Sequence, residues 1–204
     1  MSRGTQNMEH GVSVLFVCMG NICRSPLAEA AFRQAAARHG LEVRVESAGT
    51  GNWHVGEAPD PRARAIAARH GVDLDQYRAR VVTGQDFYQF THIIAMDHAN
   101  MAHLSRMRPV DGVSELSLLL DYVAHRHGTA VVDPYYGTTE DFAAPWRDVS
   151  QGAEALALYL KKQARCPLIQ RFPAQRSKES IGCFGGGASE AFGKGASPAI
   201  PATM

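Results

Sequence analysis

The chain has 204 residues, of which 45% are hydrophobic and 20% are charged, so we expect one globular domain with or without a terminal extension. Its 21 basic and 20 acidic residues give a net charge of +1, which argues against nucleic acid as a partner. All four lysines follow residue 160. Residues 1–160 therefore contain no lysine that could serve a Walker motif or a Schiff base.

The cysteines lie at positions 18, 23, 166 and 183, and none of them forms a C-x-x-C pair. That spacing does not favour a zinc ribbon or a thioredoxin-like site. No apolar run reaches 18 residues, and the N-terminus lacks the pattern of a secretory signal. We therefore expect no membrane partner and a cytoplasmic location, where thiols stay reduced.

Strand and helix patterns alternate along most of the chain. Val12 to Val17 predicts a strand buried on both faces, and Ser25-Pro26 predicts a helix start with Ser25 as the N-cap. Gly40 is the predicted end of that helix. Further strands are predicted at 43–45, 92–96 and 113–118, and further helices at 62–70, 98–107 and 149–165. This alternation predicts an α/β fold, namely a doubly wound, four-stranded parallel sheet in flavodoxin-like order with helices on both faces.

The two ends of the chain differ in composition from the middle. Residues 1–11 are polar and without pattern, and we expect them to form a disordered lead. Residues 166–204 hold 6 of the 19 glycines and 4 of the 10 prolines, which predicts a flexible tail. The single folded domain is therefore expected to span residues 12–165.

The most informative segment, CMGNICRSP, runs from Cys18 to Pro26 between the first strand and the first helix. Ligands of open α/β sheets bind at the carboxyl ends of strands, and a loop that leads into a helix directs its N–H groups at an anion. Gly20 and Asn21 tolerate the left-handed backbone angles of a curled loop. The helix start and Arg24 both favour the nucleophilic thiolate of Cys18, and the planar guanidinium matches two phosphate oxygens.

This segment resembles the active-site loop of the low-molecular-weight protein tyrosine phosphatases. Three further segments resemble the same family in the same order, namely Ser47 to Thr50, Ala95 to Asn100 and Asp133 to Gly137. The resemblance covers roughly residues 12–165. It implies an enzyme that hydrolyses phosphotyrosine in proteins, releases inorganic phosphate, and needs no metal or cofactor. A tyrosine kinase is one candidate among the implied protein substrates.

The resemblance also implies residue roles. Cys18 is the expected nucleophile that forms a phosphocysteine, Arg24 is the phosphate clamp, and Asp133 is the general acid and base. Cys23 is expected to protect Cys18 from irreversible oxidation by forming a disulfide with it. The expected phosphate-binding residues are Met19, Gly20, Asn21, Ile22, Cys23, Arg24 and Ser25. Loop support is expected from Asn21, Ser25 and Ser47, and a substrate pocket from Trp53, His54, Tyr135 and Tyr136.

One position departs from the family pattern. Tyr77 stands about where many relatives carry a histidine that helps to fix the loop asparagine. We therefore expect an altered support network around Asn21, without loss of activity.

Three other functions are each disfavoured by a feature of the sequence. A protein-arginine phosphatase would carry threonine in place of Ile22 and a less aromatic acid loop. An arsenate reductase of the same fold needs two more redox cysteines, but no cysteine lies between residues 24 and 165. A non-catalytic phosphate-binding module would have lost the nucleophile, the arginine or the acid.

Overall fold

A computed structural model describes residues 11–164 of the chain. The predicted tail and all but the last residue of the predicted lead lie outside the described residues. The strands are β1 (Ser13–Cys18), β2 (Arg44–Gly49), β3 (His92–Ala95) and β4 (Glu115–Leu118). The helices are α1 (Arg24–His39), α2 (Pro61–Arg69), α3 (Asp86–Gln89), α4 (His98–Met107) and α5 (Ala143–Ala164).

The four strands form one parallel sheet in the order β2-β1-β3-β4. This arrangement confirms the predicted fold class. In the register of the sheet, Cys18 at the end of β1 lies opposite Gly49 at the end of β2. The carboxyl ends of these two strands therefore meet at one edge of the sheet, where the loop after β1 begins.

Both faces of the sheet are covered by apolar side chains. Val14 and Phe16 of β1 belong to a core cluster with helices α1, α2 and α5, whereas Leu15 and Val17 belong to a second cluster with α3 and α4. Every residue of β1 is buried, which explains why the five residues after Ser13 form an unbroken apolar run instead of an alternating pattern. The central strand is thus fixed from both sides.

Several predicted boundaries were wrong. Helix α1 begins at Arg24 with Cys23 as its N-cap, so Ser25 is not the cap. Its hydroxyl instead contacts the Cys18 sulfur. Helix α5 begins at Ala143, six residues before the predicted start, and β2 extends to Gly49. Gly40 ends α1 as predicted, with a φ of 65° that suits glycine.

None of the helices among residues 11–164 is both long enough and apolar enough to span a membrane.

Candidate active site

The loop between β1 and α1, residues 18–24, curls at the carboxyl edge of the sheet. Asn21 has a φ of 57°, the left-handed conformation that asparagine tolerates better than most residues. Gly20 is not in that conformation, so its expected left-handed role was wrong. A Cβ at Gly20 would instead lie 3.0 Å from the ring of His54.

Gly49 lets the sheet approach this loop closely. A Cβ built on Gly49 would lie 2.8 Å from the carbonyl oxygen of Met19 and 3.1 Å from the backbone nitrogen of Asn21. The contact is held by hydrogen bonds from Thr50 N to the Cys18 carbonyl and from Gly51 N to the Met19 carbonyl, both at 2.9 Å. A side chain at residue 49 could not be accommodated without moving the loop backbone.

The sulfur of Cys18 is buried and surrounded by hydrogen-bonding groups. It lies 3.0 Å from the Ser25 hydroxyl and accepts a hydrogen bond of 3.3 Å from the backbone N–H of Asn21. The residue is 2% exposed. A sulfur beside a helix N-terminus and next to these polar groups is placed as a nucleophile requires.

Asn21 holds the shape of the loop through its side-chain amide. Its Nδ2 donates to the Ser25 hydroxyl at 2.9 Å and to the Ser47 hydroxyl at 3.0 Å, while its Oδ1 accepts from the backbone N–H of Arg80 at 2.9 Å. All polar atoms of this amide thus have partners. Tyr77 is not one of them, because it lies beside Glu29 and Arg33 at a separate surface cavity.

Arg24 is 2% exposed and faces two carboxylates. Its Nη1 donates to Asp97 at 2.6 Å and to the Val131 carbonyl at 3.2 Å, and its Nη2 donates to Asp133 at 2.5 Å. The Nε–H is buried and has no hydrogen-bond partner among the described residues. A buried donor without a partner is costly, so the guanidinium is prepared for a further acceptor.

Asp133 lies on residues 131–137, which we call the acid loop. The loop begins beside the end of β3, where Val131 N donates to the carbonyl of Met96, the residue after that strand, at 2.8 Å. The Asp133 Oδ1 accepts from the backbone N–H of Tyr135 at 3.2 Å, and the other oxygen meets Arg24. Its side chain is 39% exposed, so it is open to solvent and to an incoming substrate.

These groups line one cavity of about 490 Å³. Its residues are Cys18, Met19, Gly20, Ile22, Cys23, Arg24, Trp53, His54, Asp133, Tyr135 and Tyr136. All three predicted catalytic residues and all four predicted pocket residues are therefore in the same place. The aromatic members are partly to largely exposed, and they form a rim suited to a flat ring.

The predicted support residues lie behind the cavity wall. Asn21, Ser25 and Ser47 are buried, and none of their side chains lines the cavity. Cys23 does line it and is a free thiol. Burial, followed by the charge of Asp60, raises the pKa of the Cys23 thiol far above its usual value. At neutral pH Cys23 is therefore protonated and a poor nucleophile.

Sequence reasoning missed two contacts that shape the site. The backbone N–H of Arg80 donates to the Asn21 side chain, and the backbone carbonyl of Val131 accepts from Arg24. No side-chain pattern could have revealed them. Asp97, within the segment from Ala95 to Asn100, both caps α4 and binds Arg24.

The comparisons with known proteins agree with one another. Residues 13–166 match the family model described as "Low molecular weight phosphotyrosine protein phosphatase". The Bacillus subtilis low molecular weight protein-tyrosine-phosphatase YfkJ is 43% identical over 154 residues, which cover 74% of this chain and 97% of that protein. A low molecular weight phosphotyrosine protein phosphatase of Schizosaccharomyces pombe is 41% identical over 138 residues, which cover 66% of this chain and 88% of that protein.

A solved structure shares the fold. The crystal structure of a protein tyrosine phosphatase from Entamoeba histolytica superposes with a TM-score of 0.71 and 33% identity, covering 75% of this chain and 99% of that one. The comparison therefore extends over nearly the whole of the known enzyme.

Proposed function

The chain belongs to the low molecular weight phosphotyrosine protein phosphatase family and hydrolyses phosphotyrosine, and we propose that it does so with Cys18 as nucleophile, Arg24 as phosphate clamp and Asp133 as proton donor. One observation carries the assignment of these residues. A buried sulfur, a buried guanidinium with an unpartnered Nε–H, and a solvent-open carboxylate line the same cavity. The three groups together supply nucleophile, anion binding and proton transfer.

In the first step the Cys18 thiolate attacks phosphorus and the bond from phosphorus to the phenolic oxygen breaks. Asp133 gives its proton to that oxygen, so tyrosine leaves neutral. Arg24 and the backbone N–H groups of residues 19–25 bind the non-bridging oxygens, whose charge they stabilise in the transition state. The products of this step are tyrosine and a phosphocysteine.

In the second step water attacks the phosphocysteine. Asp133, now a carboxylate, accepts a proton from the water, and the sulfur leaves as a thiolate. The Ser25 hydroxyl, 3.0 Å from the sulfur, stabilises this leaving group. Inorganic phosphate then departs and the starting state is restored.

The rim supports an aryl phosphate as substrate. Trp53 and Tyr136 are 69% and 98% exposed, so both rings are free to contact a substrate at the mouth of the cavity. His54 joins them, and its Nδ1 lies 2.7 Å from a carboxylate oxygen of Glu57, within hydrogen-bond distance. Phosphoproteins are the substrates that the family implies, and we include a tyrosine kinase among them.

We further propose a cytoplasmic location, because the spacing of the cysteines does not indicate a framework of disulfides.

Cys23 supports a protective role in the same cavity. Peroxide oxidises the Cys18 thiolate to a sulfenic acid, and the Cys23 sulfur then attacks it to form a disulfide with release of water. Because burial raises the pKa of the Cys23 thiol, Cys23 is itself protonated and little exposed to direct oxidation at neutral pH. Residues 12–165 form the proposed catalytic domain, since every residue with a proposed role in these steps lies within them.

Exchange of Cys18 tests the proposed chemistry directly. Cys18→Ser should abolish turnover of a phosphotyrosine peptide and of aryl phosphates while vanadate and phosphate still bind. Cys166→Ser, at a cysteine outside the loop sequence, is the matched control and should keep full turnover. Activity of Cys18→Ser at the level of the control would overturn the mechanism.

A further inference from the structure

We propose that Arg62 is a positioning residue for this reaction, because it ties the acid loop to the loop that carries Cys18 and so fixes the location of Asp133. The proposal rests on the proposed role of Asp133 as proton donor. Arg62 does not line the cavity, and nothing in the sequence pattern singled it out.

One guanidinium bridges two separate parts of the chain. Nη1 of Arg62 donates to the Gly137 carbonyl at 2.7 Å, and Nη2 donates to the Tyr135 carbonyl at 3.0 Å. The same group donates to Asp60 through Nε at 3.0 Å and Nη2 at 2.8 Å. Three nitrogens thus make four hydrogen bonds, and two of them reach the acid loop 73 and 75 residues away.

Asp60 connects Arg62 to the loop that carries Cys18. Its backbone N–H donates to the Ile22 carbonyl at 2.9 Å, and its side chain caps α2 by accepting from Arg62 N at 2.8 Å. Burial alone would raise the pKa of Asp60, but hydrogen bonds from Arg62 outweigh it and hold that pKa below its usual value. A continuous path therefore runs from Ile22 through Asp60 and Arg62 to the acid loop.

The guanidinium is also held in orientation. It lies over the ring of Phe142, 4.8 Å from the centroid, and that ring is fully buried. The side chain of Arg62 is 27% exposed and that of Asp60 is 10% exposed, so solvent competes only in part for their hydrogen bonds. A planar donor that is stacked and doubly hydrogen-bonded has little freedom to move.

The acid loop has few other anchors near its reactive residue. Its first residue, Val131, is hydrogen-bonded to the Met96 carbonyl just after β3, and Arg24 contacts both Val131 and Asp133. Beyond Asp133 the side chain of Pro134 is buried, whereas those of Tyr135 and Tyr136 are exposed. Loss of Arg62 would free the far end of the loop, and Asp133 would spend less time where it can protonate the leaving oxygen. Phosphate binding would persist, because Arg62 has no hydrogen bond to Cys18 or Arg24.

The test compares Arg62→Ala and Arg62→Lys with Arg64→Ala. Arg64 lies on the same helix and pairs with Asp75, so its exchange removes an ion pair without touching the acid loop. Turnover is measured as kcat/KM over a series of aryl phosphates with leaving groups of rising pKa. Misplacement of a proton donor that contributes about 10²–10⁴-fold predicts a loss of about tenfold or more for the most basic leaving group, and little loss for the most acidic.

The conservative variant separates positioning from charge. Lysine keeps the positive charge but lacks the planar fork, so Arg62→Lys should fall between wild type and Arg62→Ala. Arg64→Ala should leave the leaving-group dependence unchanged. The inhibition constant of inorganic phosphate should stay within about twofold in every variant, because none of the exchanged side chains is hydrogen-bonded to Cys18 or Arg24. A twofold change corresponds to about 0.4 kcal/mol of binding free energy.

A double-mutant cycle with Asp133→Asn decides the matter. If Arg62 acts through Asp133, its exchange should cost little once the carboxylate is gone, whereas a general structural defect would cost the same in both backgrounds. Equal costs in both backgrounds, or an unchanged leaving-group dependence in Arg62→Ala, would overturn the proposal for Arg62. An unchanged dependence in Asp133→Asn alone would instead overturn the proton-donor role itself. Thermal unfolding of Arg62→Ala and Arg64→Ala provides the stability baseline.

Discussion

The two walls of the cavity are built in opposite ways. On the cysteine side, Cys18, Asn21 and Ser25 are buried and hydrogen-bonded to one another. On the acid side, Asp133 is 39% exposed, and its loop depends on contacts from two arginines. The nucleophile must meet the same small anion in every turnover, so a rigid wall serves it. Asp133 must be accessible to protein substrates that differ in sequence, so its side of the cavity is exposed to solvent. Its position is fixed in part by Arg62, which does not line the cavity.

Arg24 belongs to both walls, so its loss is expected to have the largest effect. Arg24→Ala removes the buried donors for the phosphoryl group and leaves Asp97 and Asp133 without their shared cation. We expect kcat/KM to fall by about 10³-fold or more, since one preorganised donor contributes about 10²–10³. The inhibition constant of phosphate should rise in parallel. If phosphate bound as tightly as before, the clamp role of Arg24 would be wrong.

Exchange of the acid affects one wall only. Asp133→Ala should lower kcat/KM for a poor leaving group by about 10²-fold or more and remove the decline in rate that accompanies loss of the acid's proton. A profile of rate against pH for both proteins is the measurement. The vanadate affinity is the control, because the cysteine side stays intact. An unchanged profile would exclude Asp133 as proton donor.

Substitution of Asn21 in the rigid wall is expected to have a smaller effect on activity. Two substitutions separate the contribution of its side-chain hydrogen bonds from that of its left-handed backbone. Asn21→Gly and Asn21→Ala both lose three side-chain hydrogen bonds, but only alanine is strained at a φ of 57°. We expect about tenfold lower activity in both, and an unfolding free energy about 1 kcal/mol lower for alanine than for glycine. Equal stability of the two variants would show that the backbone conformation at residue 21 is not a constraint.

The smallest effect is expected at His92, the first residue of β3, at the end of the sheet away from the cavity. Burial lowers the pKa of His92, with the nearby charge of Glu115 opposing this in part. The unfolded chain therefore takes up the proton first as pH falls below about 6.5, and stability decreases from there down to the folded-state pKa. Denaturant unfolding at about pH 7.5 and about pH 5.5 should show this loss in wild type and less of it in His92→Gln. Activity at neutral pH should not change, since His92 is remote from the cavity.

The rigid wall could be predicted from the sequence far better than the open one. Cys18 to Pro26 is contiguous and is flanked by a strand and a helix, so local pattern and chemistry coincide there. Even so, Ser25 was misassigned, because a hydroxyl near a helix start suits both a cap and a sulfur contact. Arg62 was missed because its targets are carbonyl groups 73 and 75 residues away. Helix α3 was also not predicted, because its four residues are too few to show a helical periodicity.

Gly49 takes no part in the chemistry, yet its position constrains how the sequence can evolve. The gap between the end of β2 and the backbone of residues 19–21 has room for a hydrogen atom but not for a methyl group. A single-nucleotide change that introduced a methyl group there would displace the anion cradle while leaving the sulfur, guanidinium and carboxylate chemically unaltered. Selection for activity must therefore preserve the smallest side chain at that position.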